Sequence, residues 1–408
     1  MIIKEYILYK INFLYLLNMF FVSFSVSQDI NEIVLKEGVN VVTGAEQINV
    51  YLPWIKNKNI AIVTNHTGIV KNVHLVDTLL SCGVKIKKIF TPEHGFRGDV
   101  EAGKSVLNTI DKKTGLPVIS LYGEKKKPTK EDLKGIDIVL FDIQDIGVRF
   151  YTYISTLSLV MEACAENNVS VIILDRPNPN GHYIDGPVLE TKLTSFVGLH
   201  PIPIVYGMTI AEYALMVNGE GWLKNHLRCN LKYVPLLNYD HKTLYTLPIS
   251  PSPNIPNMAA VYLYPTLGLF EGTVISVARG TDFPFQAFGH PDMKNASFSF
   301  TPRIIPGVCS SPPYLNIECK GYDLRSFGEN YFCNHRQIYL YWLIQSYHEL
   351  GSINSFFNDY FDKLAGTYSL KKQIIEGKNE EEIRASWTPA IENFKIIRKK
   401  YLLYPDFE

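Results

Sequence analysis

Asp137-Ile-Val-Leu-Phe-Asp142, running on into Ile143-Gln-Asp-Ile-Gly147, is the stretch that decides the fold. Its apolar run is too short for a buried helix and continuous rather than alternating. That is the pattern of a strand covered on both faces, as in a parallel sheet. The polar cluster after it then sits where ligands collect, beyond the carboxyl end of the strand.

Working outward, the same unit recurs. Asn59-Ile-Ala-Ile-Val-Thr64 reads as a strand ending in Asn65-His-Thr-Gly68, and a helix is expected over His74 to Cys82, where Leu75, Leu79 and Leu80 share a face. Lys88-Ile-Phe-Thr91 and Val118 to Tyr122 read as further strands. Downstream come a helix from Ser155 to Asn167 and a strand Val169-Ser-Val-Ile-Ile-Leu174, which ends in Asp175-Arg-Pro-Asn-Pro-Asn-Gly181. A helix from Thr209 to Asn218, capped by Thr209 with Glu212 three residues on, and a strand from Leu231 to Leu236 complete the set. Strands alternating with helices predict an α/β fold with a Rossmann-like, mostly parallel sheet.

Beyond about residue 240 the character changes. Proline crowds Pro248-Ile-Ser-Pro-Ser-Pro-Asn-Ile-Pro256 and the segment from Pro302 to Pro313, and helices are expected at His335 to Glu349 and Ile353 to Leu364. The tail, Glu380 to Arg384 and Ile391 to Tyr401, is amphipathic and expected to pack on the outside. The domain reading is a leader over 1–27, a Rossmann-like domain over 28–240 and a smaller domain over 241–408, with no internal repeat.

The composition is that of a globular protein: 408 residues, 46% hydrophobic and 20% charged, with 40 basic and 40 acidic residues. That balance offers no basic field for nucleic acid, so partners must be recognised at a local site. The first residues pair Lys4 and Lys10 with an apolar run from Ile11 to Val26 that ends among serines, the pattern of a secretory signal. The expected mature product is periplasmic or secreted, with no stable membrane insertion after cleavage. Cysteines at 82, 164, 229, 309, 319 and 333 have no Cys-x-x-Cys spacing, which disfavours a zinc ribbon. Cys82 and Cys164 read as buried thiols in helices, and one disulfide among Cys309, Cys319 and Cys333 is compatible with export.

Chemistry concentrates in Ile89-Phe-Thr-Pro-Glu-His-Gly-Phe-Arg-Gly98, where Glu93, His94 and Arg97 fall within five residues after a strand. Two readings compete: the edge of a reactive crevice, or a turn in which Glu93 merely pairs with Arg97. No Gly-x-Gly-x-x-Gly or Walker-type run supports nucleotide binding. Metal-assisted hydrolysis would need His66, His94, Asp142 and Asp145 to converge, and no local pairing of ligands favours it. Carboxylate acid–base work fits better, because Glu93, Asp142, Asp145, Asp175 and Glu271 all fall at predicted loop mouths. Against this, Asp142 and Asp175 could simply cap backbone amides, and Asp175 could pair with Arg176. Ser252 and Asn254 in the proline-stiff turn suit hydroxyl or acetamido groups, as do Asn65, Gln144 and Asn178 in the strand-end loops. Arg279, between Ala278 and Gly280, suits a carboxylate, and Tyr151 and Tyr153, just after Arg149, could stack on a sugar or belong to the core.

Taken together these segments resemble the bacterial exo-β-N-acetylmuramidases, a glycoside hydrolase family long known only as a conserved domain. The resemblance runs nearly end to end. It includes Thr64-Asn-His-Thr-Gly68, Pro92 to Gly98, Leu121-Tyr-Gly123, Phe141 to Gly147, Arg149-Phe-Tyr-Thr-Tyr153, Asp175 to Gly181, Asp185-Gly-Pro187 and Tyr206-Gly-Met-Thr209. It continues through Pro251-Ser-Pro-Asn254, Phe270-Glu-Gly-Thr273, Arg279-Gly-Thr281 and Phe361 to Gly366. It implies a Rossmann-like domain and a smaller C-terminal α/β domain with the active cleft between them, and no cofactor. The implied reaction removes N-acetylmuramic acid from the non-reducing ends of peptidoglycan fragments in cell-wall recycling. Glu93 falls on the family's candidate general acid, and Arg97, Arg149, Arg176 or Arg279 could meet the lactyl carboxylate. One departure is Ser276-Val-Ala-Arg-Gly-Thr281, where many relatives carry Ser-Glu-Gly-Arg-Gly-Thr. A muropeptide-binding protein without turnover and a metal-dependent hydrolase are the competing readings.

Overall fold

The computed structural model describes residues 35–97, 108–294, 296–328, 335–350 and 355–408. The expected leader over 1–27, Gly98 and Cys333 lie outside the described residues.

The main sheet is built from β1 (Ile60–Thr64), β4 (Ile86–Thr91), β5 (Thr109–Ile110), β6 (Pro117–Ser120), β7 (Ile138–Asp142), β8 (Ser170–Leu174) and β9 (Leu231–Val234), while β2 (Ile69–Val70) and β3 (Val73–His74) form a small hairpin. The strand order is β5-β6-β4-β1-β7-β8-β9, parallel except for the antiparallel edge strand β5. Successive crossovers run one way from β1 and the other way from β7, so the switch point, where ligands gather in open α/β sheets, lies between these two strands.

β7 shows why its sequence is continuously apolar. Val139 and Phe141 enter the core shared with helices α4 (Tyr153–Glu166) and α5 (Ile210–Gly219), whereas Ile138 and Leu140 enter a second core with α1 (Ile48–Ile55) and α2 (Leu75–Ser81). Alternate side chains point to opposite faces, and both faces are covered. The short α3 (Lys130–Leu133) precedes β7, and α5 starts at the expected cap, with Thr209 Oγ1 accepting from the Glu212 amide and the Glu212 carboxylate accepting from the Thr209 amide.

The C-terminal part carries β10 (Ala287–His290), β11 (Phe298–Phe300) and β12 (Cys319–Asp323) in the antiparallel order β10-β12-β11. With them come α6 (Met258–Leu267), α7 (Tyr341–Glu349), α8 (Phe361–Ala365), α9 (Ser369–Ile375) and α10 (Glu380–Arg398). The architecture is therefore α/β, a seven-stranded mainly parallel sheet with a smaller three-stranded C-terminal part.

Three expectations shift. The helix expected from His335 begins at Tyr341, because the amides of Ile338, Tyr339 and Leu340 donate to Asp185, Thr266 and Glu380 instead of to a preceding turn. Of the helix expected over Ile353 to Leu364, Ile353 and Asn354 lie outside the described residues, and from residue 355 on it is confined to α8, since Phe356 and Asn358 hydrogen-bond the backbone at Val274 and Gly272. The two tail segments are one helix, α10, which passes through Pro389 while burying Trp387 and Ile391. Cys164 is buried as expected, but Cys82 is exposed at the end of α2, and Cys319 is a free thiol. Among the described residues no helix is long and apolar enough to cross a membrane.

Candidate active site

Beyond the carboxyl ends of β4, β6 and β7 lies a cavity of about 500 Å³, closed from the other side by the C-terminal part. Its walls contain Glu93, His94, Tyr122, Tyr151, Tyr153, Ser252, Asn254, Tyr264, Glu271, Arg279, Tyr360 and Lys363. Eight of the eighteen residues singled out from sequence therefore share one space: Glu93, His94, Tyr151, Tyr153, Ser252, Asn254, Glu271 and Arg279.

Glu93 reaches the cavity because the chain turns sharply after β4. His94 and Gly95 both have positive φ, 73° and 76°. A histidine in that region carries backbone strain, which native structures retain chiefly at functional sites. The turn reading, Glu93 paired with Arg97, is not what forms: Arg97 points away, stacks over Phe96 and binds Asp111 at 3.0 Å and Asp77 at 3.6 Å. Tyr122 instead stands beside Glu93, and its hydroxyl is pushed up by burial and by the negative charge of Glu93. Tyr122 turns inward because β6 stops at Ser120, whose hydroxyl takes the Tyr122 amide at 3.1 Å.

Opposite stands Glu271, on the tight turn Gly268–Gly272 that follows α6. Arg279 Nη1 lies 3.4 Å from its carboxylate. Burial raises the Glu271 carboxyl, Arg279 opposes this, and the charge of Glu93 raises it further. Glu93 and Glu271 thus face one electrostatic environment. The same two charges act on Tyr264 and on Tyr360, whose hydroxyl is pushed up to about 12, burial being the larger cause in each. Two carboxylates within a ring of tyrosines suit a polyhydroxylated ring, since aromatic faces pack on its C–H surface and hydroxyls meet its oxygens.

The proline-stiff turn is fixed from behind. His66 Nε2 donates to the Ser250 carbonyl at 2.9 Å, and Tyr151 donates to the Pro251 carbonyl at 2.9 Å. Asn65 Nδ2 donates to the Tyr153 hydroxyl at 2.9 Å. Asn65 and His66 therefore brace the wall and do not belong to it. Ser252 and Asn254 are presented to the cavity. Asn254 Nδ2 is engaged by the Val308 carbonyl, while its Oδ1, Ser195 Oγ and Arg279 Nε are buried without a partner among the described residues. Buried polar atoms left open on a cavity wall are what a polar ligand would satisfy.

The remaining singled-out residues are given structural work elsewhere. Asp142 forms a fully buried bidentate pair with Arg176, at 2.6 and 3.0 Å. Asp175 accepts from the Ala211 amide at the start of α5 and from the hydroxyls of Thr209 and Tyr404. It caps backbone, the Arg176 amide included at 3.0 Å, and forms no ion pair with the Arg176 guanidinium, which is spent on Asp142. Asp145 is buried against the Tyr206 hydroxyl and the Gly147 amide. Gln144 bridges the Asp145 and Pro177 carbonyls, and Asn178 holds the Met208 carbonyl beneath Gly147, where φ is 77° and a Cβ would lie 2.1 Å from Asn178. Arg149 is wholly buried, with its guanidinium spent on the carbonyls of Pro187, Ile202, Leu364 and Ala365. His66, His94, Asp142 and Asp145 do not converge, and among the described residues no group of three His, Cys, Asp or Glu could hold a metal ion.

Sequence reasoning missed Tyr122, Lys126, Phe150, Phe196, Tyr264, Tyr360 and Lys363. Tyr122 had a signal, an aromatic next to a glycine at a strand end. The others sit in ordinary helical or loop sequence and are gathered only by the packing of α6 and α8 over the sheet.

The chain is similar to known proteins over nearly all of its length. A family model described as exo-beta-N-acetylmuramidase NamZ, N-terminal, matches residues 60–259, and its C-terminal counterpart matches residues 262–404. The peptidoglycan beta-N-acetylmuramidase NamZ of Bacillus subtilis is 39% identical over 373 residues, covering 87% of this chain and 89% of that protein. Two DUF1343 family proteins of Bacteroides fragilis share the fold over 90% of this chain and 99% of each of theirs. BF0379 has a TM-score of 0.84 at 50% identity, and BF0371 has 0.74 at 29%.

Proposed function

This chain belongs to the exo-beta-N-acetylmuramidase NamZ family of glycoside hydrolases, and we propose that it releases N-acetylmuramic acid from the non-reducing ends of peptidoglycan fragments, with Glu93 as general acid. The observation that carries this reading is the pairing of Glu93 and Glu271 in one tyrosine-walled cavity. Glycoside hydrolysis needs one carboxyl at the leaving oxygen and a second group facing the ring, and the two glutamates supply both to one cavity.

In this mechanism Glu93, with Tyr122 beside it, gives its proton to the glycosidic oxygen as the C1–O bond breaks. Positive charge develops on the ring and is met by the carboxylate of Glu271, which Arg279 orients. Either Glu271 or the acetamido oxygen of the substrate covers the anomeric carbon before water adds, and the proton that water loses restores Glu93. Asn254 Oδ1, open on the cavity wall, suits the acetamido N–H as an acceptor.

The test is release of N-acetylmuramic acid from a chromogenic β-glycoside. Glu93→Gln is expected to lower kcat by about 10²–10⁴-fold with the unfolding transition intact. Full activity in that variant removes the general-acid assignment. Proton NMR of the earliest product, showing retention or inversion at C1, then separates a double displacement or acetamido-assisted path from direct attack by water.

A further inference from the structure

We propose that Lys126 and Lys363 form an anion subsite of this cavity that receives the lactyl carboxylate of the terminal sugar, an assignment that rests on the muramidase reading above. Charge on the cavity wall points to it. The cations there are Lys126, Arg279 and Lys363, and the anions are Glu93 and Glu271. Arg279 is matched to Glu271. Arg97, Arg149 and Arg176, the other candidates for a substrate carboxylate, are bound to Asp111, to backbone carbonyls and to Asp142. Among the described residues neither Lys126 nor Lys363 has a carboxylate partner, and both are exposed.

Neither lysine sits on a loose element. The Lys126 ammonium stands over the Phe196 ring, 4.8 Å from its centroid, and Phe196 lies 6.3 Å from the ring of Tyr122, whose hydroxyl feels the charge of Glu93. Two aromatic rings, Phe196 and Tyr122, therefore link this cation to the neighbourhood of the proposed acid. Stacking also limits the rotamer freedom that a lysine otherwise loses on binding. Lys363 lies on α8, whose last carbonyls, Leu364 and Ala365, are gripped by Arg149.

A neutral N-acetylhexosamine gives two unpaired ammonium groups nothing to bind. In N-acetylmuramic acid the lactyl ether leaves C3, two ring carbons from C1 and next to the acetamido-bearing C2. With C1 at Glu93, its carboxylate projects along the wall, and a hydrogen bond between charged groups is among the stronger ones available.

The experiment compares the p-nitrophenyl β-glycoside of N-acetylmuramic acid with the same glycoside carrying a lactyl methyl ester, using the full chain and its Lys126→Met and Lys363→Met variants. The wild type is expected to favour the acid. The acid-to-ester ratio of kcat/KM should fall about tenfold or more in the variants, mainly through KM for the acid. A fall in either variant supports the subsite and identifies the ammonium that carries it. An unchanged ratio in both, or equal losses on acid and ester, overturns it while leaving the muramidase reading in place. A wild type inert on both glycosides overturns that reading and the subsite with it.

Discussion

Arg149 is the residue whose replacement distinguishes most sharply between a substrate ligand and a structural joint. Its guanidinium donates to the carbonyls of Pro187 at 2.7 Å, Ile202 at 2.8 Å, Leu364 at 2.9 Å and Ala365 at 2.8 Å. Two of these belong to the Rossmann-like part and two to the end of α8, so one side chain ties the halves of the cavity together. Arg149→Met leaves the carbonyls of Pro187, Leu364 and Ala365 unmet, since Ile202 keeps the Leu189 amide, at about 1–3 kcal/mol each, or about 3–9 kcal/mol in all. Burial of a cation with no carboxylate partner, which pushes the Arg149 pKa down to about 9, is relieved at the same time and returns several kcal/mol. The expected net loss is about 3–5 kcal/mol, a large fraction of the about 5–15 kcal/mol typical of a folded domain. Urea unfolding followed by tryptophan fluorescence measures it as a lowered midpoint. Arg149→Lys should fall between the two, because an ammonium with three donors cannot reach four carbonyls. A methionine variant with the wild-type midpoint and only a raised KM would refute the reasoning and return Arg149 to the substrate.

Other outcomes follow from the same geometry. Gly366→Ala should weaken the same joint, since φ there is 75° and a Cβ would lie 2.4 Å from Arg149 Nη2; its midpoint should fall without any change at the carboxylates. Glu271→Gln should lower kcat more than it raises KM, because its charge matters most as the oxocarbenium forms; a pure KM effect would make Glu271 a binding residue. Tyr122→Phe removes the hydroxyl beside Glu93 and should lower kcat about tenfold with little change in KM, as steady-state rates on the chromogenic glycoside will show. Stability should peak near pH 6.5. Burial raises the Asp145 and Asp175 carboxyls to about 7, above their unfolded values, so the folded state binds more protons and gains about 1–2 kcal/mol as pH falls from 8 to 6.5. Below that, His66, His74 and His200 take over: burial lowers them, His200 to about 4, so the unfolded state binds more protons and stability falls. Urea midpoints that rise steadily to pH 8.5 would contradict this balance.

The chain by itself determined the parallel sheet, because a strand covered on both faces must be apolar at every position, as β7 is, and because Thr209 and Glu212 can cap α5 through local contacts alone. It also placed Glu93 at a strand end, and neighbouring strand ends in such a sheet open on one edge. It did not separate aspartates that cap from carboxylates that face the cavity. Asp142, Asp145 and Asp175 end or follow strands just as Glu93 does, yet each is consumed by a partner distant in sequence: Arg176, Tyr206 and Tyr404. Nor did it gather Lys126, Tyr360 and Lys363, which come to one cavity only when α8 is held against the sheet by Arg149. Local periodicity and capping depend on neighbours a few residues apart and are written in the chain. Which buried charge finds a partner, and which is left facing a ligand, depends on contacts across as many as 229 positions, and only tertiary packing decides it.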